Sequence, residues 1–170
     1  MRERDVCMRE TRYNNSAAVR YALRWATSRN PQFYDYSAIG GDCTSFASQC
    51  VYAGSGVMNY TPTFGWYYIS ANDKSPSWSG VEYFYNFMTS NSGTGPFAEE
   101  VPLETLRPGD IIQLARNERF YHTLVLTMVK SDMFGREYYV SAHDTDAYMR
   151  NLNTYDFETL RGIHILGVRR

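Results

Sequence analysis

Apolar positions first recur at helical spacing near the N-terminus. In SAAVRYALRWATS, residues 16–28, Val19, Ala22, Leu23 and Ala26 fall on one face, Ser16 takes the N-cap position, and Asn30-Pro31 ends the run. A polar and aromatic stretch through Phe33, Tyr34 and Tyr36 leads to Gly40-Gly41. The segment TSFASQCVYAG is small or apolar almost throughout and ends at Gly54 and Gly56. It predicts a short buried helix beginning near Cys43. A third helix is predicted over VEYFYNFMTS, with Val81, Phe84, Tyr85 and Met88 on one side. From residue 101 the period changes. Pro108-Gly109 marks a turn, and IIQLA, YHTLVLTMV, REYYVSAH and GIHILGV read as strands, with a further turn at Phe134-Gly135. Helices followed by an antiparallel sheet describe an α+β domain. Without an internal repeat or a long linker, the chain divides into an N-terminal extension, 1–12, and one domain, 13–170.

Composition narrows the function classes. A chain of 170 residues can bury a core without disulfides or a structural metal. With 44% apolar and 21% charged residues, it is neither a disordered chain nor a coiled coil. Seventeen Lys and Arg against eighteen Asp and Glu give a net charge of -1, so no basic surplus exists to displace counterions from a nucleic acid. No apolar run approaches the length of about 20 residues that spans a bilayer. The N-terminus, MRERDVCMRETRYNN, carries charges where a signal peptide would be apolar. The chain is therefore expected in the cytoplasm, or outside the cell by way of a signal beyond this sequence.

The reactive side chains are few: three cysteines and three histidines. On one helix, Cys43 and Cys50 would lie about 10 Å apart, beyond disulfide reach. With Cys7 as the third, at least one free thiol is expected. The strongest local feature is Gly40-Gly41-Asp42-Cys43-Thr44-Ser45. Two glycines permit a tight turn, and the cysteine enters the first turn of a helix. Unpaired N–H groups there favour a thiolate, lower the thiol pKa and can face an oxyanion. Asp42 is expected to cap that helix. A buried structural cysteine is the alternative.

A nucleophilic cysteine needs a base held by a third group. His122 opens the strand TLVLTMV, and His143 closes YYVSA ahead of Asp144. If those strands form a hairpin, the two histidines become neighbours at one sheet edge. His164, between Ile163 and Ile165, reads as structural. A zinc site from Cys43, His122 and His143 would use the same atoms, but it lacks a close ligand pair such as C-x-x-C.

YNNSAAVRYALRWA, GGDCTSFASQCVYAG, SPSWSG, LRPGDIIQL and YHTLVLT together resemble the bacterial putative amidase domain family, over residues 13 to 166. That family is similar to the NlpC/P60 cell-wall peptidases and their papain-like fold, with N-terminal helices packed on an antiparallel sheet. The resemblance implies a cysteine amidase or peptidase in which Cys43 is the nucleophile and His122 the general base. It places the third, orienting position on His143, with Asp144 as runner-up. It also implies that Tyr34 or Tyr36 assists the oxyanion, that no cofactor or metal is needed, and that the substrate is a peptide of peptidoglycan type. Cell-wall enzymes act outside the cell, so the resemblance points to secretion or wall association. DCTS departs from the DCSG usual in NlpC/P60, and residues 57–99 are longer than in those peptidases. An acyltransferase would use the same cysteine and histidine, and a silent binding module would keep only the fold. The tyrosine-rich composition, 16% aromatic in all, concentrates between 57 and 85. There Trp66 and Trp78 are candidates for a substrate groove together with Asp42, or for the core. The oligomeric state leaves no mark in the sequence.

Overall fold

The computed structural model describes residues 8–170, so Cys7 lies outside the described part. Along the chain run β1 (Glu10–Thr11), α1 (Asn15–Trp25), α2 (Cys43–Ser55), a hairpin of β2 (Tyr68–Ser70) and β3 (Asp73–Lys74), α3 (Pro76–Ser79), α4 (Val81–Ser90), β4 (Gly95–Val101), β5 (Ile111–Arg116), β6 (Arg119–Asp132), β7 (Gly135–Ala142), β8 (Ala147–Asn151) and β9 (Thr159–Arg169). Seven of the strands form one curled antiparallel sheet in the order β1-β9-β5-β6-β7-β8, with β4 along the other side of β9. The arrangement is α+β. No helix among the described residues is long and apolar enough to cross a membrane.

The sheet separates two cores, and strand alternation decides which residue joins which. Ile111, Val125 and Ile163 face the helices and meet Phe46, Val51, Trp66 and Trp78. Ile112, Leu114, Leu124, Leu126 and Val140 face the other way, beneath the loops carrying Leu106 and Leu152.

Local chemistry moves two helical expectations. Asn14, not Ser16, caps α1, because its carboxamide oxygen accepts the Ala17 N–H at 3.0 Å. The buried stripe of that helix is Ala18, Ala22 and then Ala26, while Val19 and Leu23 are half-buried. Small side chains let α1 and α2 approach closely. α2 is buried almost all round, as its small-residue composition predicts, and ends at Gly56, whose φ of 66° and N–H bond to Tyr52 close the last turn.

β4 and β8 escape the strand pattern. Each pairs with only one neighbour. An edge strand is free to carry the Gly-Pro and paired Glu of GPFAEEV, which erase the alternation. The structural reading of His164 fits its place: Nδ1 lies 2.8 Å from the buried Asp110 carboxylate, whose other oxygen accepts the Ile165 N–H. The Pro-Gly-Asp turn is thereby tied to β9. Burial pushes the Asp110 carboxyl up, and the N–H of Arg107 and the His164 ring oppose that.

Trp66 and Trp78 are both fully buried, with ring centroids 5.2 Å apart. The Trp66 indole donates to Ser48, which donates in turn to the Trp78 carbonyl. Of the two readings offered by the sequence, core and groove wall, theirs is the core.

Candidate active site

Cys43 is the first residue of α2, as the glycine-rich approach predicts. Asp42 precedes it but does not cap the helix through its side chain. One carboxylate oxygen accepts the Tyr36 N–H at 2.9 Å, and the other lies 2.6 Å from Nδ1 of His143. Asp42 is 1% exposed, so it lines no open groove.

His143 is equally buried. Its Nε2 lies 2.7 Å from the Trp25 carbonyl oxygen, and its ring stacks on Phe46 at 3.9 Å. Both ring nitrogens are engaged, one by the Asp42 carboxylate and one by the Trp25 carbonyl. Neither is left to meet His122 or to ligate a metal. The neighbouring position expected for the two histidines also shifts in register. Val125 pairs with Ser141 and Leu126 with Val140, so the same register carried toward the turn sets His122 beside Asp144.

Asp144 sits in the turn between β7 and β8. Its carboxylate accepts the Asp42 N–H at 2.7 and 2.8 Å and the Cys43 N–H at 3.2 Å. It thus occupies the helix N–H groups expected to hold an oxyanion. Asp144 and Thr145 both adopt φ of 65°, unusual for any side chain and most of all for a β-branched one. Two anchors hold the turn there: the Asp144 bonds to α2 and a paired contact of Asp146 with Arg29 at 2.9 and 3.0 Å. Arg29 also reaches Asp35 at 3.2 Å, joining the turn to the loop before Cys43. Nothing in the sequence singles out Arg29, since one arginine after a helix has many roles.

Gly41 makes this closure possible. Its φ is 107°, and a Cβ there would stand 2.6 Å from an Asp144 oxygen. Gly41→Ala is expected to destabilise the fold by about 1–3 kcal/mol through backbone strain and displacement of Asp144. Urea unfolding of the variant against wild type checks this.

The Cys43 sulfur is nearly buried. The backbone N–H of Thr123 helps a thiolate there, and Thr44 Oγ1 lies 3.8 Å away. The two threonine hydroxyls meet at 2.8 Å, pinning the start of α2 to β6 one residue beyond His122. Burial pushes the thiol up, the Thr123 N–H opposes this, and the Asp144 charge pushes it further up. The expected low thiol pKa is therefore reversed. The helix terminus that would lower it already carries a carboxylate.

His122 pairs with Leu114 and shares the sheet face of Leu124 and Leu126, away from α2. Among the described residues its ring makes no hydrogen bond, to Cys43 or to any other group. It opens on a cleft of about 340 Å³ shared with Asp144, Arg150, Tyr121 and Tyr155. Burial lowers the His122 pKa, Asp144 raises it, and Arg150 lowers it. Asp144 is thus the charge that acts on both the thiol and the imidazole.

The two tyrosines expected near the oxyanion are placed elsewhere. Tyr36 donates its hydroxyl to the Ala71 carbonyl at 2.8 Å. Tyr34 is 44% exposed and packs edge-on against Tyr36. Tyr155, which the sequence does not mark, has its ring 5.9 Å from that of His122 and a buried hydroxyl with no hydrogen-bond partner among the described residues. It comes from the loop ahead of β9, too far along the chain for any motif to connect it with Cys43.

Thiol, imidazole and carboxylate gathered at one end of a sheet have the composition of an acyl-transfer or hydrolase site. The chain belongs to the family described as putative amidase domain, whose model matches residues 12–166. Members of that family are associated with amide hydrolysis in general. It is also similar to the uncharacterized protein YhbB of Bacillus subtilis (strain 168), 34% identical over 153 residues that make up 87% of this chain and 47% of that protein. The chain thus spans about half the length of this relative. No solved structure matches it.

Proposed function

We propose that the protein is a cysteine amidase of papain-like construction, with Cys43 as nucleophile and His122 as general base. The observation that carries this reading is Cys43 at the start of α2, where the Thr44–Thr123 hydroxyl pair at 2.8 Å ties the helix to β6 one residue from His122, with the Asp144 charge acting on both side chains. In the resting site, the raised thiol and the lowered imidazole favour neutral forms of both. With substrate bound, the His122 ring turns from the Tyr155 side over the strand end toward Cys43, and the proton moves from sulfur to His122 as the sulfur attacks the amide carbonyl, forming the S–C bond. The oxyanion takes the α2 N–H groups, and Asp144 leaves them for the His122 side, where its carboxylate holds the imidazolium. His122 returns the proton to the leaving amine as the C–N bond breaks. Water, deprotonated by His122, then cleaves the thioester and restores the thiol. His143 supports this site from behind by fixing Asp42. The substrate proposed is a peptide amide of bacterial cell-wall type, which rests on the resemblance to NlpC/P60 enzymes.

Iodoacetamide labelling of Cys43 across pH tests the electrostatics. Burial raises the thiol and the Asp144 charge adds to it, so the wild-type midpoint should lie above the usual thiol value of 9.0 and fall in Asp144→Asn. A wild-type midpoint at or below that value, or no shift in the variant, contradicts the reading. For hydrolysis, the sign follows from the imidazole. Burial holds its pKa below the usual 6.5, so the acid-side fall in activity should have its midpoint below pH 6.5.

A further inference from the structure

A second cleft, on the helical side and built from none of the residues of the proposed active site, carries a different chemistry. Its volume is about 490 Å³, within the range of small-ligand sites. Its lining includes no Asp, Glu, Lys, Arg or His. Two aromatic rings stand on it in solvent, Phe64 at 85% exposure and Tyr83 at 62%. Between them lie hydroxyls and amides: Thr61, Thr63, Asn86 and Ser92.

The exposure of Phe64 is built in. Thr63 holds a φ of 65°, where a β-branched residue is strained. Gly65 packs so tightly against its own loop that a Cβ would meet the Asn59 carbonyl at 2.2 Å. Ser77 donates to the Gly65 carbonyl at 2.5 Å, and Asn59 and Trp66 bridge the loop ends. A strained turn fixed from both sides thus presents a phenyl ring to water, where it contributes nothing to the core. Strain and an exposed ring together are a cost to folding that a bound ligand offsets.

We propose that this cleft binds an uncharged oligosaccharide. A sugar ring offers an apolar C–H face to an aromatic ring and hydroxyls around its edge. Phe64 and Tyr83 supply the rings. The hydroxyl of Thr61 and the amide of Asn86, which make no side-chain hydrogen bonds among the described residues, supply donors and acceptors. A lining without Asp, Glu, Lys, Arg or His disfavours phosphate, nucleic acid and charged peptide alike. The site stands independently of the cysteine chemistry.

The test is a titration of the full chain with chitotetraose, cellotetraose and maltotetraose, followed by amide NMR shifts. A tetra-alanine peptide is the comparison probe. The expected result is saturable binding of at least one saccharide with a dissociation constant on the order of 1 mM or tighter, with shifts at Phe64, Tyr83 and Asn86. Phe64→Ala should weaken it by roughly tenfold or more while melting with wild type, because the ring is not in the core. Iodoacetamide labelling of Cys43 should be unchanged in that variant, which separates this site from the amidase reading. No saturable shift with any saccharide up to about 10 mM, shifts that persist in Phe64→Ala, or tighter binding of the peptide would overturn the proposal.

Discussion

Replacing Cys43 by alanine is expected to reduce amide hydrolysis by roughly 10⁴-fold or more, because removing a nucleophile abolishes the covalent route altogether. The fold should survive the change. Among the described residues the sulfur's side-chain hydrogen-bond contact is the long one to Thr44 Oγ1 at 3.8 Å, and α2 is pinned to β6 by the threonine hydroxyl pair rather than by the thiol. His122→Ala should lose about 10²–10⁴-fold, the range of general acid–base contributions. Its circular dichroism should stay native, since the His122 ring holds no hydrogen bond among the described residues. Equal activity in Cys43→Ala and wild type would remove the cysteine from the reaction.

The second large effect falls on stability. His143→Ala leaves one oxygen of the Asp42 carboxylate, at 1% exposure, with only the distant Arg29 Nε at 3.8 Å, and removes a ring stacked on Phe46. Removing the close hydrogen-bond partner of a buried carboxyl group costs about 3 kcal/mol. For a chain of this size that corresponds to a fall in Tm of roughly 10 °C. The expected order of events separates two roles. A residue that only orients His122 would lose kcat with Tm intact. A residue that anchors Asp42, the Trp25 carbonyl and Phe46 should lose Tm first and retain activity at low temperature in whatever fraction remains folded. Thermal melts and rates measured at the same temperatures distinguish these.

The difference between those roles shows what the sequence carries and what it does not. Cys43 is legible because its signals are adjacent: two glycines, a helix start and a run of small residues. The strands of residues 111–116 and 119–132 are legible because they are central, buried on both faces or alternating, and bounded by turn residues. His164 is legible as structural from its alternation with two Ile side chains. The partnership of His143 is not, because its acceptors come from residues 101 and 118 positions away. A bulge between Leu126 and Met128 also changes the β6–β7 register in a way that hydrophobic alternation leaves unmarked. Asp144 is legible beside His143, but its seat on the helix N-terminus depends on consecutive positive φ angles that a Thr does not suggest. The thiol expectation fails for the same reason. Helix position alone argues for a low pKa, and a carboxylate arriving from the far end of the chain reverses it.

The most direct test of the central claim is a stopped-flow reaction of the intact chain with p-nitrophenyl acetate, followed by peptide mass spectrometry of the quenched protein. The expected result is a stoichiometric burst of nitrophenolate and an acetyl group on Cys43. The burst should be absent in Cys43→Ala, and loss of the acetyl group should be slowed in His122→Ala. Acetylation confined to Cys50 or to surface lysines and tyrosines, or a burst that persists in Cys43→Ala, would contradict it.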